Sequence, residues 1–217
     1  MEWQLLADVP EAALRTLLGI ARRRTFAKHE VVFHRGDPAD SLHLISKGRF
    51  SVQIATPLGD IATLSVRGPG DAFGELALLG GPSARSATVA ALEAGETYSV
   101  YRDDFERLRR EHPGVNDVLM GILAQHLRRL SDQLIEAYYV GADRRVLRRM
   151  RELTELYGRG SEPIVVPLTQ EEIAELAGTS RATVNRVLRE EERRGTVELQ
   201  RAKTVVLDVE ELSRRAG

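Results

Sequence analysis

Cysteine is absent from the 217 residues. That excludes disulfides, thiolate zinc sites, thiol redox sensing and Cys-ligated iron–sulfur clusters. An excess of either charge sign is missing too: 31 Lys+Arg stand against 32 Asp+Glu, a formal net charge of -1. No global positive field therefore marks the chain for nucleic acid or an anionic membrane, and any basic surface must be local. No apolar run approaches membrane-spanning length, and the amino-terminal MEWQLLADVPEAAL has neither a cationic start with an apolar core nor a cleavage site. The expectation is a cytoplasmic protein with no membrane partner. Catalytic signatures are equally missing: there is no Walker loop, Gly-x-Ser-x-Gly elbow, His-Glu-x-x-His or dinucleotide fingerprint, so no enzyme is expected. His29, His34, His43, His112 and His126 show no metal-ligand spacing, and no metal is expected.

What is present is an ordinary globular composition, 42% hydrophobic and 29% charged, enough for one large domain or two modest ones. Leucines and alanines from about Glu11 to Arg23 suit a short helix. Brief apolar runs follow, broken at Gly36, Gly48, Gly59, Gly68 and Gly70, which predicts many short strands closed into a β-roll or jelly-roll. The texture turns helical near Asp103, and Gly114 to Tyr139 contains no proline. There Met120, Leu123, Leu127, Leu130, Leu134 and Ala137 step by three and four, the narrow stripe of a two-stranded coiled coil. The alternative is a single helix packed on its own barrel. VGAD at 140–143 is a candidate hinge, with Asp143 placed to cap a new helix that Gly158 closes.

Beyond it, Thr169 and Glu172 have capping-box spacing before QEEIAELAG, Gly178 suits a left-handed stop, and Ser180 caps RATVNRVLREEERRG. Helix, glycine turn and helix make a helix-turn-helix, and the strand pair turning around Arg201 and Ala202 adds a wing. In the second helix Val184, Val187 and Leu188 share the inward face. Arg181, Ala182, Asn185, Arg186 and Arg189 point outward, where Arg can pair with guanine and Asn with adenine. A solvated arginine face is the bland alternative.

LTQEEIAELAGTSRATVNRVLREEERRG, after a glycine-turned roll and a long striped helix, resembles the cyclic-AMP receptor protein / fumarate-nitrate regulator (CRP/FNR) superfamily, and on the cyclic-AMP receptor branch in particular. The resemblance implies an α+β fold with three parts: a cyclic-nucleotide-binding β-roll over 1–113, a dimerisation helix and hinge over 114–140, and a winged helix-turn-helix domain over 141–217. It implies a homodimeric transcription regulator, an activator, that meets a near-palindromic double-stranded operator and RNA polymerase. DNA contact falls on Thr169, Ser180, Arg181, Ala182, Thr183, Asn185 and Arg186. Ala182 stands where the family usually has a base-reading Glu, so readout at one base pair should differ.

The stretch DAFGELALLGGPSARSATV, residues 71–89, fits the family's phosphate cassette without insertion or deletion at Gly74, Glu75, Leu76, Arg85 and Ser86. By that resemblance Arg85 and Ser86 take a cyclic phosphate, Glu75 accepts the ribose 2′-hydroxyl, and Leu64 and Ser65 line the site. The implied effector is cyclic AMP (cAMP). At the family's adenine-contacting Thr-Ser pair this chain has Leu130 and Ser131, which leaves only Ser131 able to hydrogen-bond. An internal Glu75–Arg85 salt bridge in an effector-free roll is the competing reading.

Overall fold

The computed structural model describes residues 11–56, 59–79, 83–111, 113–158 and 163–217. Residues 1–10, 57–58, 80–82 (inside the cassette gap), 112 and 159–162 lie outside them. Contacts group the chain into two compact units: Met1–Ile54 with Leu64–Ser131, and Ala55–Thr63 with Asp132–Gly217.

In the first unit, helix α1 (Glu11–Ile20) is shorter than the sequence suggests, because Arg22–Phe26 form strand β1 and pair antiparallel with β10 (Gly95–Tyr101). Arginine texture hid an edge strand whose side chains, Phe26 apart, face solvent. The remaining strands are β2 (Val31–Phe33), β3 (Pro38–Ala39), β4 (Ser41–Lys47), β5 (Phe50–Ala55), β6 (Ile61–Arg67), β7 (Ala72–Phe73), β8 (Ser83–Ala84) and β9 (Thr88–Ala91). They form two four-stranded sheets, ordered β1-β10-β4-β7 and β2-β9-β5-β6, with β3 and β8 as a small pair. This is the expected roll.

Strand β4 explains the layering, since all but its last residue are buried. With a period of two, Leu42 and Leu44 join a core with Leu17, Phe105, Leu119 and Ile122 from the helices, while Ile45 joins Phe26, Phe50, Phe73 and Val89 inside the roll. Helix α2 (Arg102–Glu111) leads to α3 (Val115–Tyr139). Leu119 and Ile122 anchor α3 on the roll, and Leu123 is partly buried against the same core.

The second unit holds α4 (Ala142–Tyr157), β11 (Ile164–Val166), α5 (Gln170–Ala177), α6 (Arg181–Arg193), β12 (Val197–Gln200), β13 (Lys203–Val206) and α7 (Val209–Ala216). Strand order β11-β13-β12 gives a three-stranded wing sheet whose two-residue turn is Arg201–Ala202. One expectation for α4 needs correction, while Gly158 closes the helix as expected. Gly141 occupies the N-cap without a side-chain bond, and Asp143 sits inside the first turn, paired with Arg186 instead of capping. Gly158 ends the helix with ordinary φ -65, so left-handed freedom is not its use. A Cβ there would lie 2.6 Å from the Thr154 carbonyl oxygen, which makes close approach the reason for glycine. Glu136, near the end of α3, is buried in an ion pair with Arg149 of α4.

Candidate functional site

The first candidate site forms where β7 runs into a short 3-10 turn at Glu75–Leu78. Gly74 takes φ 81, and a Cβ on it would lie 2.8 Å from Arg85 Nη1 and 2.9 Å from the Ser41 carbonyl oxygen. Any side chain here would displace the arginine. Arg85 is 6% exposed. Its Nη1 donates to the Ser41 carbonyl at 2.6 Å, and its Nη2 donates to Ser41 Oγ at 2.9 Å and to Asp40 Oδ1 at 3.0 Å. Its guanidinium carbon lies 3.9 Å from the Phe33 ring centroid. Burial lowers its pKa although Asp40 and Asp37 pull the other way; an arginine remains cationic regardless.

Behind Arg85 lies a buried polar network. Ser41 Oγ is 3.4 Å from His43 Nε2, and His43 Nδ1 is 3.0 Å from Thr97 Oγ1 and 3.1 Å from Ser99 Oγ. The imidazole stacks on Phe73 at 5.0 Å. Burial, then the charges of Arg85 and Arg24, push its pKa down to about 3, so His43 is neutral.

Glu75 does not pair with Arg85. Its Oε1 is 3.1 Å from His126 Nδ1 on α3. Burial works to raise this carboxyl, but the His126 hydrogen bond and charge, a backbone N–H and Arg67 outweigh it and leave the pKa lowered. Arg67, at the end of β6, is 6% exposed, and burial followed by repulsion from Arg129 lowers it to about 10 against the pull of Asp71 and Glu75. The structure thus gathers Gly74, Glu75 and Arg85, with Ser86 exposed at the rim. Leu64 and Leu76 are exposed, and Ser65 is half-buried. Ser131 stands apart on the exposed surface of α3, its hydroxyl donating to the Leu127 carbonyl at 3.0 Å. As site residues, His126 and Arg67 escaped the sequence reading. A histidine within a leucine-rich helix and an arginine closing a strand carry no spacing signal.

The second candidate site lies on the wing unit. Thr169 and Glu172 form both bonds of the capping box, and Gly178 ends α5 at φ 58. Ser180 Oγ accepts from the Thr183 N–H, so α6 starts where expected. Val184, Val187 and Leu188 are buried, while Arg181, Ala182, Asn185, Arg186 and Arg189 are exposed. Thr169, Gln170, Arg181 and Asn185 line one side of an open groove of ≈ 500 Å³, with Gln200 and Lys203 of the wing opposite. Asn185 Nδ2 donates to Gln170 Oε1 at 3.0 Å, and Arg186 pairs with Asp143. Three donors of positive charge or amide character thus share one exposed face, which suits base edges and phosphates.

On α3, Met120, Leu127, Leu130 and Leu134 are more than half exposed, and Ala137 is exposed as well. Leu123 alone of the predicted stripe turns partly into the roll core. Among the described residues no group of three or more His, Cys, Asp or Glu is placed to hold a metal ion, and no helix is long and apolar enough to cross a membrane.

Residues 23–112 match the family described as cyclic nucleotide-binding domain, and residues 128–215 match the Crp-like helix-turn-helix domain. A CRP-like cAMP-activated global transcriptional regulator of Mycobacterium tuberculosis is 31% identical over 215 residues, covering 98% of this chain and 96% of the relative. The solved catabolite activator protein of Thermus thermophilus is 30% identical with TM-score 0.56, covering 98% of this chain and 97% of that one. The c-di-GMP-responsive global regulator CLP of Xanthomonas campestris shares the fold at TM-score 0.75 and 21% identity, covering 91% and 99%.

Proposed function

This chain belongs to the CRP/FNR superfamily and is a DNA-binding transcription regulator with a cyclic-nucleotide-binding domain, and from that premise we propose a cAMP-controlled homodimer. The observation that carries the reading is Arg85: a buried cation beside a glycine that cannot be replaced without displacing it, in the same chain as an exposed, doubly capped recognition helix. A cyclic phosphate with its single negative charge suits Arg85 and Ser86, and the ribose hydroxyl suits the neighbouring Glu75. Relatives whose names specify cAMP support that effector.

The exposed Met120, Leu127, Leu130 and Leu134 support pairing of α3 with a second copy. Two α6 helices about 34 Å apart would then read successive major grooves of a near-palindrome. Arg181, Asn185 and Arg186 take base edges, Ala182 leaves one pair unread, and Thr169, Ser180 and Thr183 meet phosphates. The division into a roll over 1–113, a helix and hinge over 114–140 and a DNA-binding domain over 141–217 belongs to the same proposal, as do activation through RNA polymerase and a cytoplasmic location.

A ribose hydroxyl on Glu75 shares that carboxylate with His126 of α3, which couples the bound nucleotide to the helix. Binding energy that differs between the two arrangements drives the switch. A second reading, an effector-independent regulator, draws on the internal bonds Arg85 already makes to Asp40 and Ser41. Calorimetric titration of the purified protein with cAMP separates the two. Heat and saturation at one site per chain are expected; no heat with any cyclic nucleotide, together with unaided operator binding, would establish the rival.

A further inference from the structure

Three buried polar atoms on residues that act on Glu75 have no hydrogen-bond partner among the described residues: Nε and Nη1 of Arg67 and Nε2 of His126. Native structures pair such atoms, because a buried donor left unmade costs its desolvation, and more so when charged. The three come from two elements, β6 and α3, that act on one carboxylate.

The two buried arginines have different surroundings. Arg85 is surrounded electrostatically by Asp40, Asp37 and Arg102, and Arg67 by Arg129, Asp71 and Glu75. Glu75 is next in the chain to Gly74, which lies against Arg85, and its carboxylate feels the charge of Arg67. With phosphate on Arg85 and ribose on Glu75, as the reading above has it, the base is the part of the nucleotide that reaches Arg67. An arginine only donates, and a purine edge presents ring nitrogens, joined in guanine by O6, as acceptors.

We infer that Arg67 is an effector-contact residue: its Nε and Nη1 take the acceptor edge of the purine. The inference rests on the cyclic-nucleotide reading of the roll. It also explains why a fold would keep a cation there at all. A buried guanidinium with two unpaired donors weakens the empty protein, whereas leucine would fill the same space without that penalty.

The test uses the full chain as wild type, Arg67→Leu and Arg67→Lys. Each is titrated with cAMP and with cyclic GMP by calorimetry, and each is melted without nucleotide. Arg67→Leu should lose about tenfold or more in nucleotide affinity, the worth of one charge-assisted bond, while its Tm holds or rises. Arg67→Lys should fall between it and the wild type. A loss larger for cyclic GMP assigns the contact to O6, and one equal or larger for cAMP assigns it to a ring nitrogen. Unchanged affinity in Arg67→Leu, or a Tm that falls together with affinity, overturns the assignment. Wild-type protein that binds neither nucleotide removes the cyclic-nucleotide reading as well.

Discussion

The two candidate sites handle charge in opposite ways. In the roll, Arg85, Arg67 and Glu75 are held away from water, with Arg85 bonded by Asp40 and Ser41 and Glu75 by His126. On the recognition helix, Arg186 leans on the exposed side chain of Asp143 and Arg189 on the half-buried Glu192. Exposed ion pairs contribute little and exchange readily, so DNA phosphates and bases can replace those carboxylates at small cost. Breaking a buried pairing is far more expensive unless the incoming ligand restores it. The difference teaches where a switch has its energy: a ligand must match the roll atom for atom, while the helix stands ready for whichever duplex the switch presents to it.

Removing the buried cation should have the largest effect. Arg85→Leu is expected to lower nucleotide affinity by about a hundredfold or more, since several charge-assisted bonds vanish together. Because Arg85 also bonds the Ser41 carbonyl, its Tm should fall as well, and circular dichroism checks that the roll persists. An unchanged titration curve would remove the phosphate assignment. On the exposed side, Arg186→Ala should weaken the specific operator by about ten- to a hundredfold and random duplex much less, measured by competition. An equal loss on all sequences would reassign Arg186 to the backbone.

Two left-handed glycines sharpen the contrast between crowded and open ground. Gly74→Ala must adopt φ 81 and push on Arg85 and Ser41, whereas Gly178→Ala adopts φ 58 with nothing within 4 Å of the new carbon. Gly178→Ala should cost about 1–2 kcal/mol from backbone strain alone. Gly74→Ala should cost more and also weaken nucleotide binding; equal melting temperatures would mean that the Gly74 contact relaxes freely.

The most gradual effect is a pH slope. His43 has a folded pKa of about 3, below its ordinary value near 6.5, so the unfolded chain binds the extra proton in between. Stability is therefore full above about pH 6.5 and declines as pH falls toward 3, by at most about 1.4 kcal/mol per unit. His43→Gln should flatten the fall of Tm between pH 6.5 and 4, and a parallel curve would place the acid sensitivity elsewhere.

Much of this was legible in the chain. The capping box at Thr169, the Gly178 stop and the Ser180 cap are local chemistry, and local chemistry reads directly from sequence. So does the spacing from Gly74 to Arg85. Partners set by packing are harder. Which atoms Arg85 bonds depends on β4 lying beside it, 44 residues away along the chain, and the His126–Glu75 contact depends on how α3 crosses the turn. Strand β1 was missed because edge strands need no alternating apolar face when the next strand supplies the core.

The most direct test is fluorescence anisotropy of a labelled near-palindromic duplex titrated with wild type and Arg85→Leu, each with and without saturating cAMP. The account predicts tight binding by the wild type only when nucleotide is present, and weak binding by Arg85→Leu under both conditions. Wild-type affinity that ignores the nucleotide, matched by Arg85→Leu, would contradict it.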